Sequence, residues 1–321
     1  MANIQELFGL DGKTALVIGS SSGLGRESAE ALAAAGAKIG LMARRSSLLE
    51  EVADSCRSLG SQVDWIQVDA TQRSELELGI SSLESKLGEI DILVYAAGVA
   101  PLKRAELHSE EKWDQALSTN LTGAFYASQI VGTRMIERFK QQDDSWSGGR
   151  LIMIGSIMGS HGNPVHRNIG YAASKGGLDN MVRQLAVEWA PYQITTNSIA
   201  PSYFKTEMTT DPATGEICGV DQNLADGWLK ALALMTTNYA SGRSEAWVDT
   251  LEETIWRGSQ VSARPTSLTI DHVMASAALP FFFPAVRLRN HWHGDGGVRL
   301  AAPLSPALRL GAKRMTLRES S

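Results

Sequence analysis

Only two cysteines occur in the 321 residues, Cys56 and Cys218, and they form neither a metal-ligand spacing nor a disulfide framework. An excess of positive charge is also missing. The 30 Lys and Arg stand against 35 Asp and Glu, and the net charge of −5 lacks the basic footprint of a nucleic-acid binder. Long apolar runs are absent too: the longest, Leu151–Ile154 and Leu279–Val286, fall far short of the roughly 20 residues that span a bilayer. The opening residues, Met1 to Phe8, contain no basic segment leading into an apolar run, so they do not read as a secretory signal. These absences point to a cytoplasmic chain with no membrane span, no nucleic-acid partner and no metal site. What is present, 43% hydrophobic and 20% charged residues, is ordinary for a globular protein, and the length suits one large domain or two.

The stretch with the most chemistry is Tyr171-Ala-Ala-Ser-Lys175, read together with Ser156 upstream. A tyrosine and a lysine four residues apart on a helix project from one face, a turn apart. A phenol has a reference pKa of about 10 and is a poor acid-base group near neutrality. A nearby ammonium favours the phenolate and brings that value toward the working range. If a strand end delivers the Ser156 hydroxyl to the same cleft, the three groups can polarise a carbonyl and move a proton. Alone, the pair fits an amphipathic helix equally well, so the surrounding sequence decides.

That context begins at Thr14–Ile18, a short apolar run of the kind found in buried parallel strands. It leads directly into Gly19-Ser-Ser-Ser-Gly23-Leu24-Gly25 and an Ala-rich helix over 26–35. Strand, glycine loop and helix form the arrangement in which bare backbone approaches a pyrophosphate at a helix N-terminus. Gly19, Ser21, Ser22, Gly23, Leu24 and Gly25 are therefore candidate cofactor contacts. The spacing is G-x-x-x-G-x-G, and the same residues satisfy G-x-S-x-G with Ser21 as a would-be hydrolase nucleophile. That second reading leaves the third glycine and the following strand–helix alternation unexplained.

A second strand over 38–42 ends at Ala43-Arg44-Arg45. An NAD site usually places an acidic residue here for the ribose hydroxyls. Two guanidiniums suit a 2′-phosphate instead, although they are equally compatible with solvated surface charge. The missing acid favours NADP(H), with NAD(H) still possible. A strand over 63–68 ends at Asp69 and Ala70, where a carboxylate can accept from an adenine amino group. A helix is expected over 71–87 and a fourth strand over 91–95, opening at Ala96-Ala97-Gly98, where small residues let a cofactor lie against backbone. A long helical stretch over 110–140 carries Asn120, which is either a satisfied core amide or the holder of a relay water. A fifth strand over 149–154 delivers Ser156 to its C-terminal end, where open parallel sheets place ligands. A helix over 171–189, a sixth strand over 194–199 and a Pro201…Thr206 segment follow. Six strands alternating with helices specify an α/β fold with a doubly wound parallel sheet.

From about Gly12 to Met208 the chain resembles the short-chain dehydrogenase/reductase family, on the Gly19–Gly25 loop, Asp69, Ala97-Gly98, Asn120, Ser156, Tyr171 with Lys175, and Pro201…Thr206. The resemblance implies a Rossmann-type fold and hydride transfer between a nicotinamide and a small-molecule carbonyl or alcohol. It implies Tyr171 as general acid/base, Lys175 lowering its pKa and binding the nicotinamide ribose, and Ser156 orienting the substrate oxygen. Asn120 would hold the relay water, and Thr206 would contact the nicotinamide amide. Departures from the family pattern are Ile18, Tyr95-Ala96, Ser202 and a slightly longer interval from Ser156 to Tyr171 containing His161, Pro164 and His166. Either histidine is read as solvated in that loop. None of these departures removes a catalytic group.

Past Met208 the polar stretch to Lys230 reads as a substrate lid with a helical segment over 224–232. Beyond it the pattern changes. Ala231–Arg243 reads as a strand and turn, followed by Asp271-His-Val-Met-Ala-Ser-Ala-Ala-Leu-Pro-Phe-Phe-Phe-Pro284, His293-Gly-Asp295-Gly-Gly297 and Pro303-Leu-Ser-Pro-Ala. That series resembles the C-terminal portion of patatin-like phospholipases, in which the Asp matching Asp295 partners a serine. The serine elbow and oxyanion loop of that family are not found here. The expected organisation is thus a cofactor-binding domain over 1–230 lacking its usual last strand, fused to a patatin-like α/β fragment over 231–321. Two alternatives to the oxidoreductase are a lipid acyl hydrolase using Asp295 with Ser21 or an unidentified serine, and an inactive fusion that only binds nucleotide. A homo-oligomer stays possible, but the replaced region is the one that builds the family's subunit contacts.

Overall fold

In the computed structural model, β1 (Thr14–Ile18) is buried along its whole length, as expected of a strand covered on both faces. The structure describes residues 8–141, 146–162, 167–201, 204, 206–209, 224–226, 230–251, 261–277 and 285–295. His166, Cys218, most of the expected lid, the Phe-rich run before Pro284 and Gly296-Gly297 lie outside them.

The chain divides into two units, Met1–Ser202 and Tyr203–Ser321. In the first, β1 is followed by α1 (Gly23–Ala34), β2 (Lys38–Ala43), α2 (Ser46–Ser58), β3 (Val63–Gln67), α3 (Arg73–Leu87) and β4 (Ile92–Tyr95). Then come α4 (Glu110–Leu117), a π-turn (Ser118–Thr122), α5 (Gly123–Lys140), β5 (Gly149–Ile154), α6 (Ile169–Trp189) and β6 (Ile194–Ile199). The sheet order is β3-β2-β1-β4-β5-β6 with every neighbouring pair parallel. The chain winds outward from β1 to β3, then returns to add β4, β5 and β6 on the other side. Between β1 and β4 the direction of winding reverses, which opens a crevice at the carboxyl ends of the strands.

Alternation along the strands builds two cores. Leu16 and Ile18 face a layer containing Leu76, Ile80, Leu83, Val131 and Leu178. Ala15 and Val17 face Ala29, Val52 and Cys56 on the opposite side. The four α3 apolar positions expected from helical spacing, Leu76, Ile80, Leu83 and Leu87, are all buried. Strand β6 forms one edge of this sheet among the described residues. Its sequence suits that place: Ile194 and Thr196 are buried, whereas Thr195 and Asn197 are exposed.

The second unit holds β7 (Leu232–Asn238), β8 (Arg243–Asp249), β9 (Val261–Pro265), α7 (Ile270–Ala277), β10 (Val286–Leu288) and β11 (His291–Asp295). Its sheet runs β10-β11-β7-β8-β9, antiparallel except between β8 and β9. The expected strand and turn over 231–243 are present as β7 and the turn that follows it. The expected helix over 224–232 differs at its end: Leu224 and Ala225 are helical, residues 227–229 lie outside the described residues, and Leu232 opens β7, which pairs residue by residue with β8 from Leu232↔Asp249 to Asn238↔Arg243. Ala, Leu and Met favour helix weakly, and a full ladder overrides that preference.

The centre of the second unit is polar. Trp247 is 1% exposed and donates from Nε1 to Thr236 Oγ1 at 2.8 Å, while Thr236 Oγ1 also lies 3.0 Å from His293 Nδ1. Buried Glu245 accepts two bonds from the Arg264 guanidinium, at 2.6 and 2.9 Å, and a third from Asn238. Buried charge is tolerated here because its lone pairs are taken up.

Candidate active site

The crevice at β1 and β4 is lined first by the glycine loop. Gly19 has φ 84° and Gly23 φ 54°, backbone conformations that favour glycine. A Cβ on Gly19 would strike the backbone of Ala97, and one on Gly25 would strike the Gly19 carbonyl. The first and third glycines are therefore fixed by the close approach of β1, β4 and α1. The Gly19 amide donates to Met42 O at 2.7 Å, and the Ala96 amide to Ile18 O at 2.8 Å, which holds the loop against Ala97-Gly98. Ser22 is the N-cap residue of α1, so the first turn of that helix presents its amides at the crevice.

Arg45 follows β2 and reaches back over this loop. Its guanidinium donates to Ser21 Oγ at 3.1 Å and to Ser22 Oγ at 2.6 Å. Arg44 is exposed. The Ser21 hydroxyl faces a cation, which is the opposite of the general base that an acyl-transfer nucleophile needs. At the end of β3 the Asp69 carboxylate accepts from the Thr71 amide and hydroxyl, both at 2.9 Å, so one of its oxygens is committed to the turn. Ala70 is buried beside it. A glycine-tight loop that presents backbone amides at a helix N-terminus fits the pyrophosphate of a dinucleotide.

The second group of residues lies at the end of β5 and on α6. Ser156 is 7% exposed and caps a short 3-10 turn, Ile157–Gly159, accepting from the Met158 amide at 3.2 Å. The Tyr171 phenol interacts with this side chain, which favours its ionised form. Tyr171 and Lys175 lie one turn apart on α6, with Lys175 Nζ 5.6 Å from the Tyr171 ring centroid. Lys175 is 4% exposed and donates to Ile154 O at 2.6 Å. Burial drives the Tyr171 phenol above its usual value, and Ser156 offsets part of that rise. Burial also brings Lys175 down to about 8, while Asp179, one turn further along α6, acts in the opposite direction.

Asn120 is fully buried in the π-turn. Its Oδ1 accepts from the Val99 amide at 2.8 Å, and its Nδ2 donates to Val99 O at 3.0 Å and to Ser174 Oγ at 2.9 Å. Both side-chain donors are thus spent within the protein. Thr206 belongs to the second unit, where its hydroxyl lies 3.1 Å from that of Thr209. Asp295 ends β11, and its backbone carbonyl accepts from Thr237 Oγ1 at 2.8 Å. His161 is exposed, with Nδ1 2.8 Å from Ser160 Oγ.

Sequence reasoning missed Asp179, which packs under the serine turn. It accepts from Ser198 Oγ at 2.6 Å and lies where Cβ atoms on Gly155 and Gly159 would fall. The signal was its position four residues after Lys175. Among the described residues no group of three or more His, Cys, Asp or Glu could hold a metal ion. No described helix is long and apolar enough to cross a membrane.

The profile of the short chain dehydrogenase family matches residues 13–217, and that of patatin-like phospholipases matches residues 203–308. An NAD-dependent glycerol dehydrogenase from Listeria innocua is 32% identical over 211 residues, 65% of this chain and 78% of the relative. A 3-oxoacyl-[acyl-carrier-protein] reductase from Salmonella typhimurium is 31% identical over 238 residues, 72% of this chain and 92% of the relative. Among solved structures, a short-chain type dehydrogenase/reductase from Mycobacterium marinum has a TM-score of 0.59 at 32% identity, covering 63% of this chain and 79% of its own. An actinorhodin polyketide ketoreductase variant with NADPH has a TM-score of 0.57 at 30% identity, covering 65% and 74%.

Proposed function

The chain belongs to the short-chain dehydrogenase/reductase family, and from that premise we propose that it is an NADP(H)-preferring oxidoreductase acting on a small-molecule carbonyl or alcohol, with Tyr171 as general acid/base. The observation that carries this reading is the hydroxyl pair Ser156–Tyr171 beside the buried ammonium of Lys175.

A bound nicotinamide supplies or accepts the hydride. The protein's part is to handle the proton and the charge. In the reductive direction Tyr171 Oη gives its proton to the substrate oxygen, and Ser156 Oγ donates to the same oxygen as negative charge develops there. Lys175 holds positive charge next to the phenolate left behind and is the residue that would bind the nicotinamide ribose. With both side-chain donors engaged, Asn120 would hold a relay water through an acceptor. Ser21, Ser22, Leu24 and the three loop glycines would hold the pyrophosphate, Asp69 and Ala70 the adenine, Ala97 and Gly98 the sugar, and Thr206 the nicotinamide amide.

The preference for NADP(H) rests on Arg45, with Arg44 beside it. A guanidinium already donating to two hydroxyls at the loop rim suits a 2′-phosphate, because charge-assisted bonds to a phosphate exceed those to a neutral hydroxyl. The relatives divide on this point: one is NAD-dependent by name, and one structural neighbour carries NADPH. We set the cofactor-binding part at 1–230 and the appended part at 231–321. The family match extends to residue 217, past residue 203 where the second unit and the patatin-like match begin. We further read the protein as cytoplasmic, and as able to form homo-oligomers by contacts other than those of the replaced segment.

The test is direct. The purified chain is titrated with NADPH by fluorescence and assayed for NADPH oxidation against a panel of carbonyl compounds. Turnover lost in Tyr171→Phe with binding kept supports the assignment; turnover unchanged in that variant overturns it.

A further inference from the structure

Tyr95 closes β4 and is 1% exposed, making it one of the largest fully buried side chains. It is one of this chain's departures from the family pattern. Its hydroxyl donates to the carbonyl of Thr119 at 2.6 Å. That carbonyl is the one the π-turn deprives of a partner. In a continuous α-helix it would accept from the amide of Gly123, four residues on. Here the Gly123 amide goes to Ser118 O instead, and the bond to Thr119 is skipped. A carbonyl left unpartnered in packed protein is unfavourable, and the Tyr95 hydroxyl fills the gap.

Gly123 makes room for this contact. A Cβ there would collide with Tyr95 Oη and lie 2.6 Å from Ala70 O. The π-turn matters because each residue of a helix turns its side chain by about 100°. Relaxation of this segment to the α register would rotate Asn120 away from its present partners, Val99 on one side and Ser174 on the other. Ser174 Oγ in turn donates to the carbonyl of Tyr171 at 2.7 Å. Bonds therefore run from Tyr95 through the π-turn and Asn120 to the helix that carries Tyr171.

We infer that Tyr95 is a positioning residue: its hydroxyl latches the π-turn Ser118–Thr122, and so holds Asn120 between the Val99 loop and the helix bearing Tyr171. Its effect on turnover rests on the oxidoreductase reading above; the latch itself does not.

The experiment compares Tyr95→Phe with the wild-type chain in three readouts: a crystal structure, amide hydrogen exchange of Val99 and of residues 118–123, and steady-state reduction of a carbonyl with NADPH. The expected result is a return of Gly123 N–H to Thr119 O, faster exchange at Val99, and a kcat lower by about 10- to 100-fold with KM and NADPH affinity within about threefold. A π-turn kept in Tyr95→Phe with Asn120 still on Val99 and Ser174 overturns the proposal. So does a relaxed turn with kcat unchanged, which makes Tyr95 structural only. If the wild-type chain turns over no carbonyl, the oxidoreductase reading fails and the structure and exchange still decide the latch. Gly123→Ala, which displaces the hydroxyl from the other side, gives the same test should Tyr95→Phe fail to fold.

Discussion

Arg45 Nη2 lies 2.6 Å from Ser22 Oγ, joining the end of the second strand to the cap of the first helix across the glycine loop. The side chain is exposed, yet it is held over the place where the loop amides converge. Replacing it removes charge from the rim without touching the loop backbone. Arg45→Ala is expected to weaken NADPH by about 10- to 100-fold, the worth of one or two charge-assisted bonds, and to leave NADH within about threefold. Paired fluorescence titrations with the two cofactors check this.

Tyr171→Phe keeps the ring beside Lys175 and removes the one proton in question. The kcat is expected to fall by about 10²- to 10⁴-fold, the range for loss of a general acid or base, with NADPH affinity unchanged. Single-turnover kinetics with saturating NADPH separate this from a binding defect.

Lys175 sets a pH dependence. Burial brings its pKa down to about 8, partly countered by Asp179. Reduction needs the ammonium charged, so kcat/KM for reduction is expected to fall as pH rises through about 8. Asp179→Asn takes away the countering charge and moves that limb to lower pH. A pH profile of kcat/KM in both proteins is the measurement, and an unmoved limb in Asp179→Asn contradicts the coupling.

His272 and His293 in the second unit are both held neutral, chiefly by burial, His272 down to about 4. His272 Nδ1 accepts from the Thr269 amide at 3.1 Å, a bond that only the unprotonated ring can make. The sign follows from proton binding: below the ordinary histidine value of about 6.5 the unfolded chain takes up protons that the folded unit refuses. Stability of the second unit is full above about 6.5 and falls as pH drops toward 4. Hydrogen exchange of β7, β8 and β11 between these limits is expected to accelerate before that of β1 and β4.

Much of the first unit was legible because its signals are local. The run Thr14–Ile18 into Gly19 fixed a strand and a tight turn, and the spacing of Leu76, Ile80, Leu83 and Leu87 fixed a buried helix face. Three features were not legible. The end of the segment 224–232 read as helical by composition, but Leu232 opens a strand that pairs with β8, a partner outside any single window. The π-turn at Asn120 depends on a hydroxyl from β4. Asp179 became visible only once helix and serine turn were packed together.

The sequence by itself determined the alternation of strands and helices, the glycines that the nucleotide loop requires and the pairing of Tyr171 with Lys175. Each of these rests on periodicity or on the steric freedom of a single residue type. Tertiary structure decided how those groups are tuned. The influence of Ser156 on Tyr171, the burial that lowers Lys175 and raises Tyr171, and the seat of Arg45 over Ser21 and Ser22 all arise between residues far apart in the chain. Desolvation and hydrogen bonding at such contacts exist only after the sheet has brought the strand ends together.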